Sequence, residues 1–422
     1  MKIFWIKQGP LFPLDSGGKI RTWNILKLLA ERNELTVLTF FPSYLPSECD
    51  IPERHLHRSI SMPIDMPKKY SLLYRLDYLR KLCSPVPYVV RQYAISSVRD
   101  KVRDLLATCE FEVVVCDFLF PCLNLPRKMP CPQILFAHNA ETMIWKRHFE
   151  VAKGLLWKAV TGTEYLKLRH FESRRSQRFD HVITVSSQDR DFFKHSIPPS
   201  RISVLPTGVD LDFFHPVEAP QNPLELVFTG SMDWLANEDA ILFFGEHILP
   251  LLLRAKPGIT LTVVGRDPTE KLRRFAQSVP QIRLTGTVDD VRPYMARAGV
   301  YVLPLQVGSG TRLKVFEAMA MEKAMVSTHV GVEGLPVVPG QHLLIADSPR
   351  EFANAVLRLL DDATLRQTIG RNARTLVETG YGWPKITESF ESILRHVSGV
   401  VEPAAQLESV SPLERLPISD SI

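Results

Sequence analysis

The chain alternates short apolar runs with helix-periodic segments over almost its whole length, and this alternation restricts the fold more than any other feature. Runs such as Ile3-Phe4-Trp5-Ile6 and Val113-Val114-Val115-Cys116 lack a polar residue at every second position. Each therefore needs apolar cover on both faces, which a strand finds inside a parallel sheet whose crossovers are helices. Strands are expected at 3–8, 34–41, 58–62, 111–118, 133–138, 181–186 and 202–206. Helices are expected at 18–31, 69–82 and 96–109, with a long pair within 141–178. A turn-rich passage from Pro206-Thr207-Gly208-Val209-Asp210 to Pro220-Gln221-Asn222-Pro223 interrupts the pattern, as a linker does. It restarts with strands at 224–229, 260–265, 282–286, 299–304, 324–328 and 342–346. Helices are expected there at 236–254, 268–277, 290–297 and 311–322, with two more after 349.

The expected fold class is α/β: two Rossmann-like, doubly wound domains at 1–210 and 211–380, facing each other across a cleft. A final helical segment, 381–396, follows, and 397–422 reads as a disordered tail. The formal charge of +5 on 422 residues suits anionic small molecules or lipid headgroups and does not argue for nucleic acid. Six cysteines, at 49, 83, 109, 116, 122 and 131, form no CxxC pair, so they are expected to be reduced. Met1–Ile6 reads as a first strand, and no run reaches the ~20 apolar residues of a membrane span, so a cytoplasmic protein is expected. Segment 146–178 carries nine Lys or Arg against three Glu, with Phe149, Trp157 and Tyr165 interleaved. Such a face can lie peripherally on the inner side of an anionic membrane, although a solvated helix face is the commoner reading.

The richest motif is Leu303-Pro304-Leu305-Gln306-Val307-Gly308-Ser309-Gly310-Thr311-Arg312-Leu313-Lys314-Val315-Phe316-Glu317. An apolar strand ends in a glycine-rich turn, and a helix begins with two cations in its first turn. Unpaired amides and the positive helix end attract an anion, phosphate above all. Ser309, Gly310 and Thr311 would line that turn, Arg312 and Lys314 would add full charges, and Glu317 is placed for sugar hydroxyls. Gly17 and Gly18 also join a strand to a helix and permit close backbone approach. An apolar strand delivers His138 to its carboxyl end, where it can bond a hydroxyl or a phosphate or act as an acid or base. Gly230 and Ser231 end another strand and could meet a diphosphate, with Asn237 capping the helix that follows.

Taken together, these residues resemble a retaining glycosyltransferase of family four, with the GT-B architecture. The resemblance rests on Asp15-Ser16-Gly17-Gly18, the His138 loop, Pro206–Asp210, Thr285-Gly286-Thr287-Val288 and Gly308 through Ala320. It implies that Glu317 holds the ribose of a nucleotide donor and that Val288 helps seat the base. It further implies that Gly17 and Gly18 border diphosphate and acceptor, and that 381–396 packs back on the first domain. Two features depart from the common pattern. Ser309 stands where many members carry a Glu, and Ser231 and Asn237 stand near the places of an Arg and a Lys. Arg312 and Lys314, in a GSGTRLKVFEAMA-type loop, resemble a subgroup that often serves exopolysaccharide or lipid-linked glycan assembly.

The expected activity is retaining transfer of a sugar from a nucleoside-diphosphate sugar, the donor substrate, to a hydroxyl acceptor on a sugar, glycan or lipid-linked glycan. No metal and no further cofactor is expected to be obligatory. Arg312 and Lys314 would stabilise the departing diphosphate, and His138 would orient donor and sugar. A nucleotide-sugar epimerase of the same architecture and a catalytically inactive nucleotide-sugar-binding protein are the alternatives.

Overall fold

A computed structural model of the chain describes residues 1–45, 56–69, 71–152, 154–220, 222–307 and 313–400. Two compact units divide it: Met1–Pro206 together with the segment from Ile386, and Thr207–Lys385.

In the first unit, β1 (Lys2–Gln8), β2 (Glu34–Pro42), β3 (Arg58–Ile64), β4 (Val113–Asp117), β5 (Gln133–Ala137), β6 (His181–Thr184) and β7 (Ile202–Val204) form one sheet. Their order is β3-β2-β1-β4-β5-β6-β7, and every pairing is parallel. Helices α1 (Gly17–Leu29), α2 (Leu72–Lys81), α3 (Glu141–Val151) and α4 (Leu155–Ser176) serve as crossovers. Ile3, Phe4, Trp5 and Ile6 are fully buried, as two-sided cover requires.

In the second unit, β8 (Asn222–Thr229), β9 (Thr260–Val264), β10 (Ile282–Leu284), β11 (Ala298–Leu303), β12 (Met325–Ser327) and β13 (Leu344–Ile345) form the other parallel sheet. The order is β10-β9-β8-β11-β12-β13. Helices α5 (Leu235–Phe243) and α6 (Leu313–Ala320) follow β8 and β11. In both sheets the chain winds outward from a central strand, then returns to that strand's other side. The switch points lie between β1 and β4 and between β8 and β11, and ligands of such sheets bind at these strands' carboxyl ends.

The last helix, α7 (Trp383–Ser398), belongs to the first unit from Ile386 on. Phe390 packs on Trp5 and Phe136, with ring centroids 5.6 and 5.1 Å apart. Glu391 accepts a hydrogen bond from Asn33 at 3.3 Å.

Several elements depart from expectation. The unit boundary falls at Pro206, ahead of 210, because Val209 bridges Gly382 and its amide donates to the Tyr381 carbonyl. The helix expected at 236–254 is widened to a π turn over Phe244–Ile248. Pro250 has no amide to offer the preceding turn, so the hydrogen-bond ladder must rearrange there. A helix over Ser187–Phe193 was not anticipated, although Ser186 caps it by accepting from the Asp189 amide. Residues 397 and 398, read as tail, close α7, and 401–422 lie outside the described residues.

Candidate functional site

At the β1/β4 switch point three strands and one helix converge on a single carboxylate. Asp117 ends β4 and has no solvent exposure. Its Oδ2 accepts from Thr22 Oγ1 at 2.7 Å, Lys7 Nζ at 3.1 Å and Trp5 Nε1 at 3.2 Å, while Oδ1 lies 2.7 Å from His138 Nε2. Burial opposes the charge, but Lys7, His138 and Thr22 outweigh it and hold the carboxyl well below the usual range. A carboxylate this deep persists only when paired and hydrogen-bonded in this manner.

The neighbours fix the histidine. Arg21 Nη1 lies 2.9 Å from His138 Nδ1, and a guanidinium can only donate, so Nδ1 accepts. Nε2 must then carry the proton and donate to Asp117. Burial, with Arg21 and Lys7 reinforcing it against the pull of Asp117, depresses the imidazole to about 4, so the ring is neutral. Phe118 stacks on it at 4.0 Å and 8°. Both His138 nitrogens are engaged within the unit, and the residue is 2% exposed. His138 positions Arg21, Phe118 and the start of α3.

Gly18 contributes through packing, since a Cβ there would stand 2.8 Å from Phe118 Cζ. Gly17, beside it, opens α1 and is partly exposed. Next to His138, Glu141 begins α3 and is 6% exposed. Burial, then Glu172 and Asp189, push its carboxyl up to about 8, so it is mainly protonated at neutral pH. Glu172 accepts from the Glu141 and Thr142 amides and the Thr142 hydroxyl.

The β8/β11 switch point holds the second cluster. Gly230 follows β8 at φ 151. A Cβ there would lie 2.5 Å from Lys314 Nζ and 2.9 Å from Asn237 Nδ2, so the glycine makes room for an ammonium group. Lys314 Nζ donates to Asn237 Oδ1 at 2.8 Å and stands 4.4 Å from the Phe228 ring centroid. Asn237 does not cap α5 as expected; Trp234 holds the N-cap position without a side-chain cap, and the Asn237 side-chain amide donates instead to the Ser231 carbonyl at 2.8 Å.

The Ser231 hydroxyl donates to Asp233 at 2.5 Å and accepts from Arg266 Nε at 2.8 Å. Arg266 follows β9, and the two loops cross so closely that a Cβ on Gly265 would fall 1.7 Å from the Gly230 carbonyl oxygen. One turn beyond Lys314, Glu317 is partly buried in α6. Burial pushes its carboxyl up to about 7, against the pull of Lys314. Tyr301, whose hydroxyl lies 2.7 Å from Thr229 Oγ1, feels the same carboxyl.

Val288 sits in the loop after β10, packed partly on the core, and Gly286 beside it has φ 70. The structure thus brings Gly230, Ser231 and Lys314 together, with Glu317 one turn along. Ser309, Gly310, Thr311 and Arg312 lie outside the described residues. Lys7, Arg21, Asp117 and Arg266 were missed by sequence reasoning. A charged residue inside or directly after an apolar strand was the available signal for Lys7, Asp117 and Arg266. Among the described residues no group of His, Cys, Asp or Glu could hold a metal ion.

Comparison with known proteins matches residues 16–213 to the family model described as Glycosyltransferase Family 4, and residues 223–362 to that of Glycosyl transferases group 1. An uncharacterized 44.6 kDa protein in the cps region of Klebsiella pneumoniae is 21% identical over 340 residues, 74% of this chain and 85% of that protein. Sucrose-phosphate synthase from Thermosynechococcus elongatus superposes with a TM-score of 0.71 at 18% identity, covering 94% of this chain and 99% of the other. Anabaena Alr3699/HepE, in complex with UDP and glucose, superposes with a TM-score of 0.66 at 15% identity, covering 94% and 100%.

Proposed function

The chain belongs to glycosyltransferase family 4, and from that premise we propose that it moves a sugar from a nucleoside-diphosphate sugar to a hydroxyl acceptor, with retention of anomeric configuration. One observation carries the proposal: Lys314 and Arg266, from different elements, reach the turn after β8 at the switch point, with Glu317 one helical turn beyond Lys314. That arrangement suits a diphosphate with a ribose beside it. The structural relative that holds UDP and glucose supports a donor of this class. The likeness to a protein of the cps region supports a surface-glycan acceptor.

In this reading the bond between the anomeric carbon and the diphosphate oxygen breaks, the acceptor oxygen bonds to that carbon, and the departing phosphate takes the acceptor proton. Negative charge gathers on the leaving oxygens. Lys314 and Arg266 stabilise it, and we assign Arg312, Ser309, Gly310 and Thr311 to the same task from the sequence. Gly230, whose amide is already held by the Val264 carbonyl, and Ser231 line the same subsite, Val288 borders the base, and Glu317 accepts from ribose hydroxyls. Gly17 and Gly18, next to the rigid His138 network, form the acceptor side. Loss of one such electrostatic donor typically costs about 3–4 kcal/mol in the transition state, or a factor of 10²–10³ in turnover.

The test is to incubate the protein with UDP-, GDP- and ADP-sugars and a glycan acceptor panel, reading product anomer by NMR. Lys314→Ala and Arg266→Ala should each lower turnover about a hundredfold or more while the fold persists. Donor binding without transfer or hydrolysis would instead identify a binding protein. Interconversion of the donor sugar without acceptor would identify an epimerase.

A further inference from the structure

We propose that the outer face of α2 and the start of α4 form a docking surface for an anionic lipid bilayer. Most exposed large apolar side chains among the described residues lie in these two helices and beside them. Leu72, Leu73, Leu76, Leu79 and Leu82 are exposed along α2 and at its end, and Leu155, Leu156 and Trp157 open α4, with Leu155 90% and Leu156 81% exposed. Single exposed leucines are ordinary, whereas a contiguous set this large marks an interaction surface.

The sequence of α2 explains its orientation. Tyr74, Asp77, Tyr78 and Lys81, spaced as one helical face, turn inward. The rings of Tyr74 and Tyr78 pack on Tyr88 at 5.4 and 5.0 Å, and Asp77 accepts from Tyr88 Oη at 2.9 Å and from Lys81 at 2.8 Å. The opposite face, with Leu72, Leu76 and Leu79, is left outside, and no residue of α2 is buried. Lys167 of α4 donates to the Leu82 carbonyl at 2.5 Å, and Glu164 accepts from the Tyr88 amide at 2.7 Å. Tyr78 lies near Glu164 as Leu82 lies near Lys167, so the two helices run in the same direction. Their amino ends, with Leu72 and Leu155, therefore come to one side.

Charge selects the partner. The acids of these helices are turned inward: Asp77 is engaged by Tyr88 and Lys81, while Glu164 and Glu172 are buried. Lys68, Lys69, Arg75, Arg80 and Lys158 are exposed among the leucines. Apolar side chains beside cations, with the acids of both helices withdrawn though Asp65 and Glu150 nearby are exposed, match the boundary between acyl chains and anionic headgroups. A second copy of this chain would set these cations against their own kind. Two other cations of the basic segment at 146–178 are engaged within the unit: Arg175 donates to the Cys122 carbonyl and Arg178 to that of Arg127.

The inference rests on this surface alone and is independent of the transfer reading. It is tested by flotation with phosphatidylcholine vesicles with and without phosphatidylglycerol. The protein should float with the anionic vesicles and be released as salt rises. The Leu72→Glu/Leu76→Glu/Leu79→Glu variant and the Leu155→Glu/Leu156→Glu variant should each lower partitioning at least about tenfold, with unchanged melting and nucleoside diphosphate affinity. Three results would overturn the proposal: indifference of the parent protein to anionic vesicles, full binding by both glutamate variants, or a concentration-dependent dimer in sedimentation that these variants abolish.

Discussion

Replacing Asp117 by Asn keeps the volume of the side chain and removes only its charge, which makes it a sensitive probe of the buried network. With the amide nitrogen at the Oδ2 position, it would face the donors of Trp5, Lys7 and Thr22. Turned the other way, it would face His138 Nε2–H, and shifting that proton to Nδ1 would set it against Arg21. Neither orientation satisfies the site, and Lys7, only 3% exposed, loses its counter-ion. Breaking a buried pair from one side costs about 3–5 kcal/mol. At roughly 2–4 °C per kcal/mol for a unit of this size, the first unit should melt about 6–20 °C lower at pH 7. Circular dichroism would record it, and any transition that nucleoside diphosphate shifts should stay in place. The sign of the pH dependence is fixed too. Burial already lowers the Lys7 pKa, and without the carboxylate it falls further in the folded state, while the unfolded chain keeps the ordinary value. Raising the pH lets the folded side chain shed its proton, so the deficit should shrink between pH 7 and 9.5, by about 1 kcal/mol or more. Lys7→Met added to Asp117→Asn should restore much of the loss. An Asp117→Asn variant that melts with the parent, or whose deficit ignores pH, would refute this account of the network.

Two further outcomes follow from the second unit. In the role proposed for it, Glu317, pushed up to about 7 by burial, accepts ribose hydroxyls best when ionised. Calorimetric affinity for nucleoside diphosphate should therefore rise about tenfold from pH 5.5 to 7.5 and then level off, and Glu317→Gln should flatten the profile and weaken binding. Gly265→Ala drives a methyl into the Gly230 carbonyl, so nucleotide binding should fall at least a hundredfold, whereas Gly286→Ala, with open space but φ 70, should cost only about 1 kcal/mol of stability. Comparing the two by titration and melting separates a steric clash from backbone strain.

Strand positions were legible because two-sided burial forces long apolar runs, and those runs survive in the sequence whatever their neighbours. The turns after β1 and β8 were legible for a related reason: glycine marks the places where a ring or an ammonium must come close. Partnership was not legible. Lys7 and Asp117 stand 110 positions apart, and only the register of β1 on β4, Lys7 against Asp117, makes them a pair. Once that pair exists, Arg21 and Thr22 reach it because α1 starts directly above, and His138 reaches it because β5 adjoins β4. The sequence placed His138 at a strand end but could not show the partners that fix its ring. In the second unit the absence of cations after β8 pointed to compensation from elsewhere in the chain. The sequence suggested Arg312 and Lys314, but Arg266 arrives from the neighbouring strand, through the Gly230 and Gly265 crossing. Charge at this switch point is assembled across the sheet from β9 and α6, with Ser231 and Asn237 serving as the supports on which Arg266 and Lys314 rest. A substitution at either support should therefore displace a cation without removing it, which is why Asn237 belongs to the electrostatics of the site although it carries no charge.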